Sequence, residues 1–489
     1  MTPLVHELRP APTVTDVLSC WSDAEHLLLL ESPRRDARGR YSFLMADPFR
    51  VFQLDSPARA EELAAAGNSL AVQYGVDPFR ELRPVLQEWA TPAVAGLPPF
   101  QGGAAGLLGY ELGGCWERLP FPARDEFRLP SMLVGLYDWV IAWDHVQNRC
   151  WIISQGQPGA GHPRMLHAQQ RLDFVLRRLQ QVGASRIASM AASETSQQKE
   201  ITAAAIDQPG SCPATHVTGV RSNFSREGYL AAVQRVVDDI YAGDIFQANL
   251  SQRLVKAATA DPLVIYQRLR VANPAPFAGY MRHADWAVLS SSPERFVELR
   301  GKIVRTRPIK GTRQRWKDPQ YDLLTQDELR ASRKDQAENV MIVDLMRNDL
   351  SRVCKPGSIS VPELCTVETF ETVTHLVSEI CGTLRDGADF WDLIAATFPG
   401  GSITGAPKVR AMQIIQELEQ VARGPYCGSL FYCGLDGTAD SSILIRTMTW
   451  KSGLLHFPVG GGIVADSDPE TEFEETLHKA QGLLRALES

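Results

Sequence analysis

The chain has 489 residues, of which 44% are hydrophobic and 22% are charged, so it can bury a large core. Its formal net charge of -7 argues against nucleic acid as the main partner, because phosphate binding needs a basic surface. No apolar run approaches the length that spans a bilayer, and residues 1–10 lack a signal-peptide pattern. We therefore expect a cytoplasmic protein without membrane contact. The nine cysteines form no Cys-x-x-Cys pair, so neither a disulfide framework nor a zinc site is predicted.

Residues 1–182 alternate apolar segments with turns and are predicted to form the N-terminal region. The apolar run that ends at Glu31-Ser32 is followed by a charged turn, which predicts a β-hairpin. The glycine-rich segment 100–113 fits no phosphate-binding spacing, so it indicates closely packed backbones instead. Further predicted elements are strands over 133–142 and 150–154 and a helix over 166–182.

Residues 183–220 are rich in Ala, Ser, Thr and Gln, a composition that predicts a flexible linker. After them, Ser225 stands where a helix N-cap is expected, ahead of an apolar helical face. A second region is therefore expected over 221–489. Within it, residues 327–353 contain neither proline nor glycine and predict one continuous helix.

Lys310 lies within the segment Arg-Thr-Arg-Pro-Ile-Lys-Gly-Thr-Arg, residues 305–313. The commoner meaning of such a cluster is a solvated basic turn. Upstream, however, one strand ends at the turn that carries Glu294, and a second strand leads to Pro308. A carboxylic acid on one turn and an amine on the next can converge on one pocket as general acid and nucleophile.

Glu338 and Glu475 lie on the apolar faces of two predicted helices. A buried carboxylate must be paired or must hold a cation, so an internal salt bridge and a metal ligand stay equally open for Glu338. Glu475 has Lys479 at position i+4, and the two could simply pair with each other. Two carboxylates without a histidine cluster suit Mg²⁺ better than zinc.

Two segments carry the residue types of an anion site. The Gly-Thr turn at Thr404 precedes a helix whose free amides would attract a carboxylate. Arg446 ends a strand, and the loop from Gly460 to Gly462 offers bare backbone donors, a combination that holds planar carboxylates. His375 stands in an alternating run and is by itself more typical of a core histidine than of a catalyst.

Five ordered motifs resemble those of the chorismate-utilising enzymes. They lie at 292–296, 308–312, 338–349, 401–408 and 475–479. The resemblance covers 221–489, with weaker matches in the N-terminal region. It implies an α/β (α+β) sandwich of two large, mostly antiparallel sheets packed face to face with helices outside. It also implies that the N-terminal region is intertwined with the chorismate-binding catalytic region.

The resemblance implies a role for each matching position. Glu338 and Glu475 would bind Mg²⁺, Glu294 would act as the general acid, and His375 would belong to the active site. Arg446 would clamp the enolpyruvyl carboxylate of chorismate. The positions expected to contact chorismate are Gly311, Thr312, Thr404, Tyr426, Arg446, Gly460, Gly462 and Lys479.

Lys310 and Gln247 separate the branches of this family. Anthranilate synthases carry alanine at the position of Lys310, whereas the enzymes that form 4-amino-4-deoxychorismate use a lysine there as the nucleophile. Isochorismate and salicylate synthases activate water with a lysine at the position of Gln247. The resemblance thus implies amination of chorismate by ammonia, with anthranilate formation as the alternative and a non-catalytic tryptophan-binding relative less favoured. We also expect like charge from Arg305, Arg307 and Arg313 to favour a neutral Lys310.

Two further expectations concern partners. Residues 29–32 resemble the tryptophan-feedback motif of anthranilate synthases, so a bound tryptophan and a plain hairpin core both stay open. The expected tryptophan contacts are Ser32, Arg40, Tyr41, Pro276, Phe277 and Ala278. No cysteine, Cys115 included, has the setting of an amidotransferase nucleophile. We therefore expect a separate glutamine amidotransferase subunit to supply ammonia.

Overall fold

A computed structural model describes most of the chain. It covers residues 2–32, 39–57, 71–185, 210–211, 217–258, 260–316, 318–369 and 373–488. The predicted linker over 183–220 lies largely outside the described residues, as does most of the charged turn of the first hairpin. Among the described helices, none is both long and apolar enough to cross a membrane.

The strands, in chain order, are Leu4–Leu8 (β1), Leu27–Glu31 (β2), Tyr41–Met45 (β3), Arg50–Leu54 (β4), Gly103–Leu108 (β5), Met132–Tyr137 (β6), Trp139–Asp144 (β7), Arg149–Ser154 (β8), Gly210–Ser211 (β9), Arg221–Ser222 (β10), Gln247–Ala257 (β11), Phe277–His283 (β12), Trp286–Ser292 (β13), Arg295–Arg300 (β14), Ile303–Thr306 (β15), Ile309–Gln314 (β16), Ser360–Thr369 (β17), Val373–Thr383 (β18), Gly405–Ala406 (β19), Ser429–Gly434 (β20), Ala439–Ser442 (β21), Thr447–Lys451 (β22) and Leu454–Ile463 (β23).

The α-helices are Val14–Cys20 (α1), Leu82–Glu88 (α2), Gly161–Ser185 (α3), Arg226–Tyr241 (α4), Pro262–Ala272 (α5), Pro319–Ala331 (α6), Arg333–Ser351 (α7), Phe390–Thr397 (α8), Lys408–Glu419 (α9) and Pro469–Arg485 (α10). Short 3₁₀ helices cover Tyr110–Cys115 and Gly401–Ile403. Several helices begin at a side chain that accepts a backbone N–H, as Ser225 does at the start of α4.

The strands form two large sheets in which neighbouring strands pair antiparallel. The larger sheet has the order β1-β8-β7-β3-β2-β12-β13-β22-β23-β11-β10-β9, and β19 also pairs with β11. The smaller sheet has the order β16-β18-β15-β14-β21-β20-β5-β6-β4, and β17 also pairs with β18. The expected large antiparallel sheets are therefore confirmed.

Both sheets contain strands from the N-terminal and the C-terminal parts of the chain. In the larger sheet β2 pairs with β12, which places Glu31 opposite Ala278. In the smaller sheet β5 pairs with β20, which places Leu108 opposite Ser429. The two parts are thus intertwined by backbone hydrogen bonds, while the region boundaries at 182 and 221 stay a prediction.

The sheets pack face to face around a shared apolar layer. Leu28 and Val288 of the larger sheet meet Leu107 and Leu430 of the smaller sheet in one buried cluster. Each sheet carries helices on its outer face. Helices α1, α3, α5 and α10 pack on the larger sheet, and α7 and α8 pack on the smaller one. The predicted two-sheet sandwich with outer helices is confirmed, because each sheet can bury both of its faces only in such layers.

Two predicted elements differ from those observed. The single helix expected over 327–353 is wrong, because α6 and α7 meet at Ser332, whose backbone is extended and whose hydroxyl accepts from the N–H of Asp335. Serine at this position caps a new helix rather than continuing the old one. The strand expected over 133–142 is likewise two strands, β6 and β7, that belong to different sheets and meet at Asp138.

Candidate active site

Most of the predicted site residues line one cavity of about 900 Å³. Strands β11, β16, β18 and β23 and helices α7 and α10 all contribute to its wall. The predicted residues that it brings together are Glu294, Lys310, Gly311, Glu338, His375, Tyr426, Arg446, Gly460, Gly462, Glu475 and Lys479.

Lys310 reaches this cavity from an irregular part of β16. The pairing with β18 shifts register between Lys310 and Thr312, and Gly311 has a φ of +68°. A Cβ at Gly311 would lie 3.0 Å from Oδ1 of Asp335, so glycine suits both the conformation and the space. The Nζ of Lys310 lies 3.9 Å from Oε2 of Glu338.

Glu294 follows β13 and is 4% exposed. Its Oε1 accepts a hydrogen bond of 2.7 Å from the hydroxyl of Ser402. Burial raises the pKa of Glu294 to about 7, although Ser402 and the charge of Lys310 act in the opposite direction. A carboxyl group that holds its proton near neutral pH is suited to act as a general acid.

The metal candidates lie on two helices. Burial raises the pKa of Glu338 on α7, with the charge of Lys310 opposing that shift. For Glu475 on α10, burial also acts to raise the pKa, but the ion pair with Lys479 at 2.6 Å and the charges of Lys334 and Lys310 together lower it. The sequence left a salt bridge and a metal ligand open for Glu338, and its distance from Lys310 is compatible with a weak ion pair.

A third carboxylate, Glu472, lies beside these two. A Cβ at Gly461 would lie 3.2 Å from Oε2 of Glu472 and 3.6 Å from Oε1 of Glu475, so the two side chains approach the same stretch of β23. Burial also raises the pKa of Glu472. Within the described ranges no three acidic, histidine or cysteine side chains are close enough to hold a metal alone. The oxygen donors nevertheless fit Mg²⁺, which usually keeps water or substrate oxygens as further ligands.

Gln247 lies next to Lys310 at the start of β11. A Cβ at Gly462 would lie 2.7 Å from Nε2 of Gln247 and 3.2 Å from Nζ of Lys310, so both side chains converge on this glycine. Gln247 is fully buried, and neither polar atom of its amide has a hydrogen-bond partner among the described residues. Such unpaired buried amides need an explanation, for which a catalytic role and an ordered water are two possibilities.

Arg446, Lys479 and His375 also line the cavity. Arg446, between β21 and β22, has a φ of +50° and lines the wall. The Nζ of Lys479 donates to the carbonyl of Gly460 at 2.9 Å. His375 on β18 is 4% exposed and also lines the cavity, so it is both a buried histidine and a member of the candidate site.

Two expected substrate contacts lie elsewhere or are described only in part. Thr404 does not belong to the described residues that line the cavity. It is fully buried, and its hydroxyl donates to the carbonyl of Gly400 at 3.0 Å. Thr312 lies opposite His375 in the pairing of β16 with β18. Its side chain is outside the described set.

The family of this chain follows from comparison with known proteins. A family model described as "chorismate binding enzyme" matches residues 25–485. The chain belongs to the chorismate-binding enzyme family. It is 40% identical to aminodeoxychorismate synthase component 1 of Salmonella typhimurium over 451 residues, which cover 92% of this chain and 90% of that relative. It is 41% identical to anthranilate synthase component 1 of Streptomyces coelicolor over 419 residues, which cover 84% and 78%.

The fold of this chorismate-binding enzyme also matches a solved relative. The crystal structure of anthranilate synthase component I from Streptococcus pneumoniae superimposes with a TM-score of 0.71 at 27% identity, covering 92% of this chain and 93% of that one. The family and the sandwich fold expected from the five motifs are therefore confirmed.

The three arginines expected to act on Lys310 by like charge each face carboxylates in this chorismate-binding enzyme, and their effect on Lys310 stays a prediction. Arg305 lies 3.6 Å from Glu298, and Arg313 pairs with Asp335 at 2.8 Å. Arg307 contacts a set of carboxylates from β17 and β18, namely Glu363, Glu368 and Glu379. Since each guanidinium faces opposite charge, its field at other residues is weakened.

Several cavity residues were not identified as site residues from the sequence. Ser402 lies within the 401–408 motif, but its hydrogen bond to Glu294 could not be read from spacing. Glu472 lies one helical turn before Glu475, so helix periodicity alone could have placed it on the same face. Lys334 lies 3.7 Å from Glu472, and both residues line the cavity.

The expected tryptophan contacts come together only in part. Pairing of β2 with β12 brings residues 276–278 next to Ser32, whose hydroxyl donates to the carbonyl of Pro276. Arg40 pairs with Asp144 at 2.7 Å, and its guanidinium lies 5.0 Å from the centre of the Tyr41 ring. These contacts are compatible with a hairpin core, and tryptophan binding stays a prediction.

Proposed function

We propose that this chain is the catalytic component of an aminodeoxychorismate synthase, which converts chorismate and ammonia to 4-amino-4-deoxychorismate. The observation that carries the proposal is the position of Lys310, an amine on the cavity wall with Gln247 beside it. An amine at position 310 supplies a nucleophile, and glutamine at position 247 provides no second amine to activate water. Three relatives of that name, at 40% to 43% identity, support the same assignment.

The proposed reaction has two displacements. In the first, the amine of Lys310 bonds to C2 of chorismate and loses a proton, both ring double bonds shift by one position, and the C4 hydroxyl takes up a proton and leaves as water. In the second, which reverses both shifts, ammonia bonds to C4 and the bond between C2 and Lys310 breaks. The sum is chorismate plus ammonia giving 4-amino-4-deoxychorismate plus water, with the lysine regenerated.

Glu294 is proposed to provide the proton that the departing hydroxyl needs. Its pKa of about 7, caused by burial, keeps a large fraction of the carboxyl protonated at neutral pH. The hydrogen bond from Ser402 fixes the orientation of this carboxyl group. Ser402 is therefore a positioning residue in the proposal, because it acts through Glu294.

Glu338 and Glu475 are proposed to hold Mg²⁺, with Glu472 as a third carboxylate beside Glu475. When bound, Mg²⁺ supplies positive charge for the ring carboxylate of chorismate. Glu338 would then direct its charge to the cation rather than to Lys310, which needs to give up its proton before it can act as a nucleophile. Arg446, which lines the same cavity, is proposed to bind the second carboxylate of chorismate.

Ammonia is proposed to come from a separate glutamine amidotransferase subunit. The designation "component 1" of the relatives supports a multi-component enzyme. Free ammonia is scarce at neutral pH because ammonium predominates, so delivered ammonia would speed the second displacement. With glutamine as the sole nitrogen source we expect the isolated chain to be inactive, and we expect the amidotransferase to restore turnover. Glutamine-dependent product from the purified chain alone would contradict this part.

Anthranilate formation is the second candidate, because anthranilate synthase relatives match the chain at 41% and 36% identity. Both reactions would use the same metal, acid and nitrogen source. They differ in the nucleophile and in the fluorescence of the product. Anthranilate appearing from chorismate and ammonia, without any added lyase, would favour the second candidate.

The decisive experiment is mass spectrometry of the intact chain incubated with chorismate and Mg²⁺ but no ammonia. We expect an adduct with the mass of chorismate minus water, located on Lys310 by peptide mapping. The variant Lys310→Ala should form none. Full activity of Lys310→Ala at saturating ammonia would contradict the proposed nucleophile.

A further inference from the structure

One buried arginine, Arg423, holds part of the active-site wall from behind. Its side chain is 2% exposed, and it is not among the described residues that line the cavity. Its guanidinium donates to the backbone carbonyl of Ile403 at 3.1 Å and to that of Asn249 at 2.6 Å. Ile403 and Asn249 both line the cavity. Arg423 therefore joins two parts of the wall without lining the cavity itself.

The two carbonyls belong to different elements, the 3₁₀ turn Gly401–Ile403 and strand β11. The turn is weakly bonded on its own, because the two backbone hydrogen bonds that close it are 3.3 and 3.4 Å long. Ordinary N–H···O bonds measure roughly 2.7 to 3.2 Å, and bonds from a charged donor are the stronger ones. The guanidinium of Arg423 is thus a firmer anchor for this turn than the turn's own bonds.

The same turn carries the hydroxyl that orients the proposed acid. Ser402 is its middle residue, and its hydroxyl donates to Oε1 of Glu294 at 2.7 Å. Because Ile403 follows Ser402 directly, a turn released from Arg423 would let this hydroxyl move away from Glu294. The side chain of Arg423 is therefore linked to the carboxyl group through the turn and Ser402.

The guanidinium is itself fixed in place. Its Nε and Nη2 donate to the two carboxylate oxygens of Glu419 at 2.9 and 2.7 Å. Glu419 also accepts from the backbone N–H and the hydroxyl of Ser251, both at 2.8 Å. The ring of Tyr110 lies 4.7 Å from the guanidinium carbon. Two-point pairing of this kind sets the orientation of an arginine as well as its position.

We propose that Arg423 is a positioning residue, which clamps the Gly401–Ile403 turn against β11 so that Ser402 stays within hydrogen-bond reach of Glu294. The inference rests on the proposed function, in which Glu294 protonates the departing hydroxyl. Tyr426, an expected substrate contact, is held in another way, because its backbone N–H donates to the carbonyl of Arg423. A change of the Arg423 side chain leaves that carbonyl in place.

The test removes the whole ion pair, because a single substitution would leave the other charge buried and unpaired. Arg423→Met/Glu419→Gln removes both charges at similar length and keeps an amide oxygen for Ser251. The matched control is Arg253→Met/Glu126→Gln, which removes another ion pair of a buried arginine, on β11, whose members are outside the described lining of the cavity. If the first pair variant does not fold, Arg423→Lys keeps the charge but loses the fork that reaches both carbonyls.

Hydrogen exchange followed by mass spectrometry measures the clamp without chorismate or ammonia, so this result does not depend on the proposed reaction. We expect the amides of residues 401–404 to exchange about tenfold faster in the Arg423 pair variant, and at the parental rate in the control. Unchanged exchange in this segment would overturn the proposal. An equal increase in the two pair variants would overturn it as well.

A double-mutant cycle with Ser402→Ala tests the route by which the clamp acts. We expect Ser402→Ala and the Arg423 pair variant each to lower kcat by about tenfold, and their combination also by about tenfold, because the clamp acts through Ser402. Independent effects would instead multiply to about a hundredfold, and that result, or parental kcat in the pair variant, would overturn the proposal. Absence of turnover in the parent chain would contradict the proposed function, while hydrogen exchange would still decide the clamp.

The pH profile of kcat gives a result that lost stability alone would not produce. Burial raises the pKa of Glu294, and the hydrogen bond from Ser402 acts in the opposite direction. Loss of that bond should raise this pKa further, so the alkaline limb should move to higher pH in Ser402→Ala and in the Arg423 pair variant alike. The other ionisable groups that act on Glu294 are Lys310 and Cys427, whose thiol has a pKa raised to about 12 by burial, and neither is substituted. An alkaline limb that stays in place in the pair variant would overturn the proposal.

Discussion

Because Gly462 has no side chain, the amine of Lys310 can lie beside it: a Cβ at position 462 would lie only 3.2 Å from Nζ of that lysine. The same Cβ would lie 2.7 Å from Nε2 of Gln247, so neither side chain could stay in place without a shift. This close approach explains in physical terms why a glycine, with no side chain, lies next to the proposed nucleophile.

The first prediction concerns this glycine. Gly462→Ala should reduce kcat/KM with ammonia by about 100-fold, because a small displacement of a reacting group removes much of the advantage of orientation. Steady-state kinetics and the yield of the Lys310 adduct should fall together. Gly228→Ala, in the first turn of α4 and remote from the cavity, is the control and should keep parental activity. Parental kinetics in Gly462→Ala would mean that Lys310 does not react from the position described.

The second prediction concerns the pH dependence of turnover. Because burial raises the pKa of Glu294 to about 7, the carboxyl loses its proton as the pH rises through neutrality. A general acid is active only while protonated, so kcat should decline above about pH 7 when the concentration of unprotonated ammonia is held constant. Glu294→Gln cannot donate this proton and should lower kcat by about 10²- to 10⁴-fold. A profile whose alkaline limb survives in Glu294→Gln would assign that limb to another group.

The third prediction separates stability from activity at Gln247. Its amide is fully buried without a partner among the described residues, so it lowers the free energy of unfolding even if it serves the site. Gln247→Met should raise the free energy of unfolding by about 1 kcal/mol, because a buried unpaired polar group is removed at similar length. Activity should fall at the same time, by about tenfold, because the amide lines the position next to Lys310.

Denaturant unfolding and steady-state kinetics on the same preparations measure both effects. The control is Gln234→Met, whose parent side chain is exposed on α4 and bonds to Asp238. It should change stability by less than about 0.5 kcal/mol and leave activity alone. A destabilised Gln247→Met would indicate that the amide has a partner in solution, such as ordered water.

The site could be predicted from the sequence where short motifs carry its residues. Lys310, Glu294 and Glu338 each lie in a segment whose local pattern is informative, and all three line one cavity. What spacing could not supply were partners from distant strands. The sequence around Arg307 indicates no partner for its charge. In the structure, Glu363 of β17 and Glu379 of β18 form ion pairs with it. Long-range pairing of this kind depends on strand register, which local sequence determines only weakly.

The fold shows the same division between local and distant information. The glycine-rich segment 100–113 predicts closely packed backbones, and its part that forms β5, Gly103–Leu108, is buried along its whole length between β6 and β20. The break at Ser332 was missed because serine is compatible with a helix interior as well as with a cap. Only the extended backbone and the hydrogen bond to Asp335 distinguish the two.

The last prediction concerns the metal. Glu338→Gln and Glu475→Gln each remove one charged oxygen donor from the cavity, so each should raise the Mg²⁺ concentration needed for half-maximal activity by at least about tenfold. Calorimetric titration of Mg²⁺ should show the same weakening without any turnover. Glu470→Gln is the matched control, because this residue lies on the same helix but is exposed and pairs with Arg226. Its Mg²⁺ dependence should equal that of the parent chain.

Removal of divalent cations with EDTA should abolish activity, and added Mg²⁺ should restore it. Full activity in EDTA, or equal weakening in all three variants, would show that these carboxylates serve only as ion-pair partners of Lys310 and Lys479.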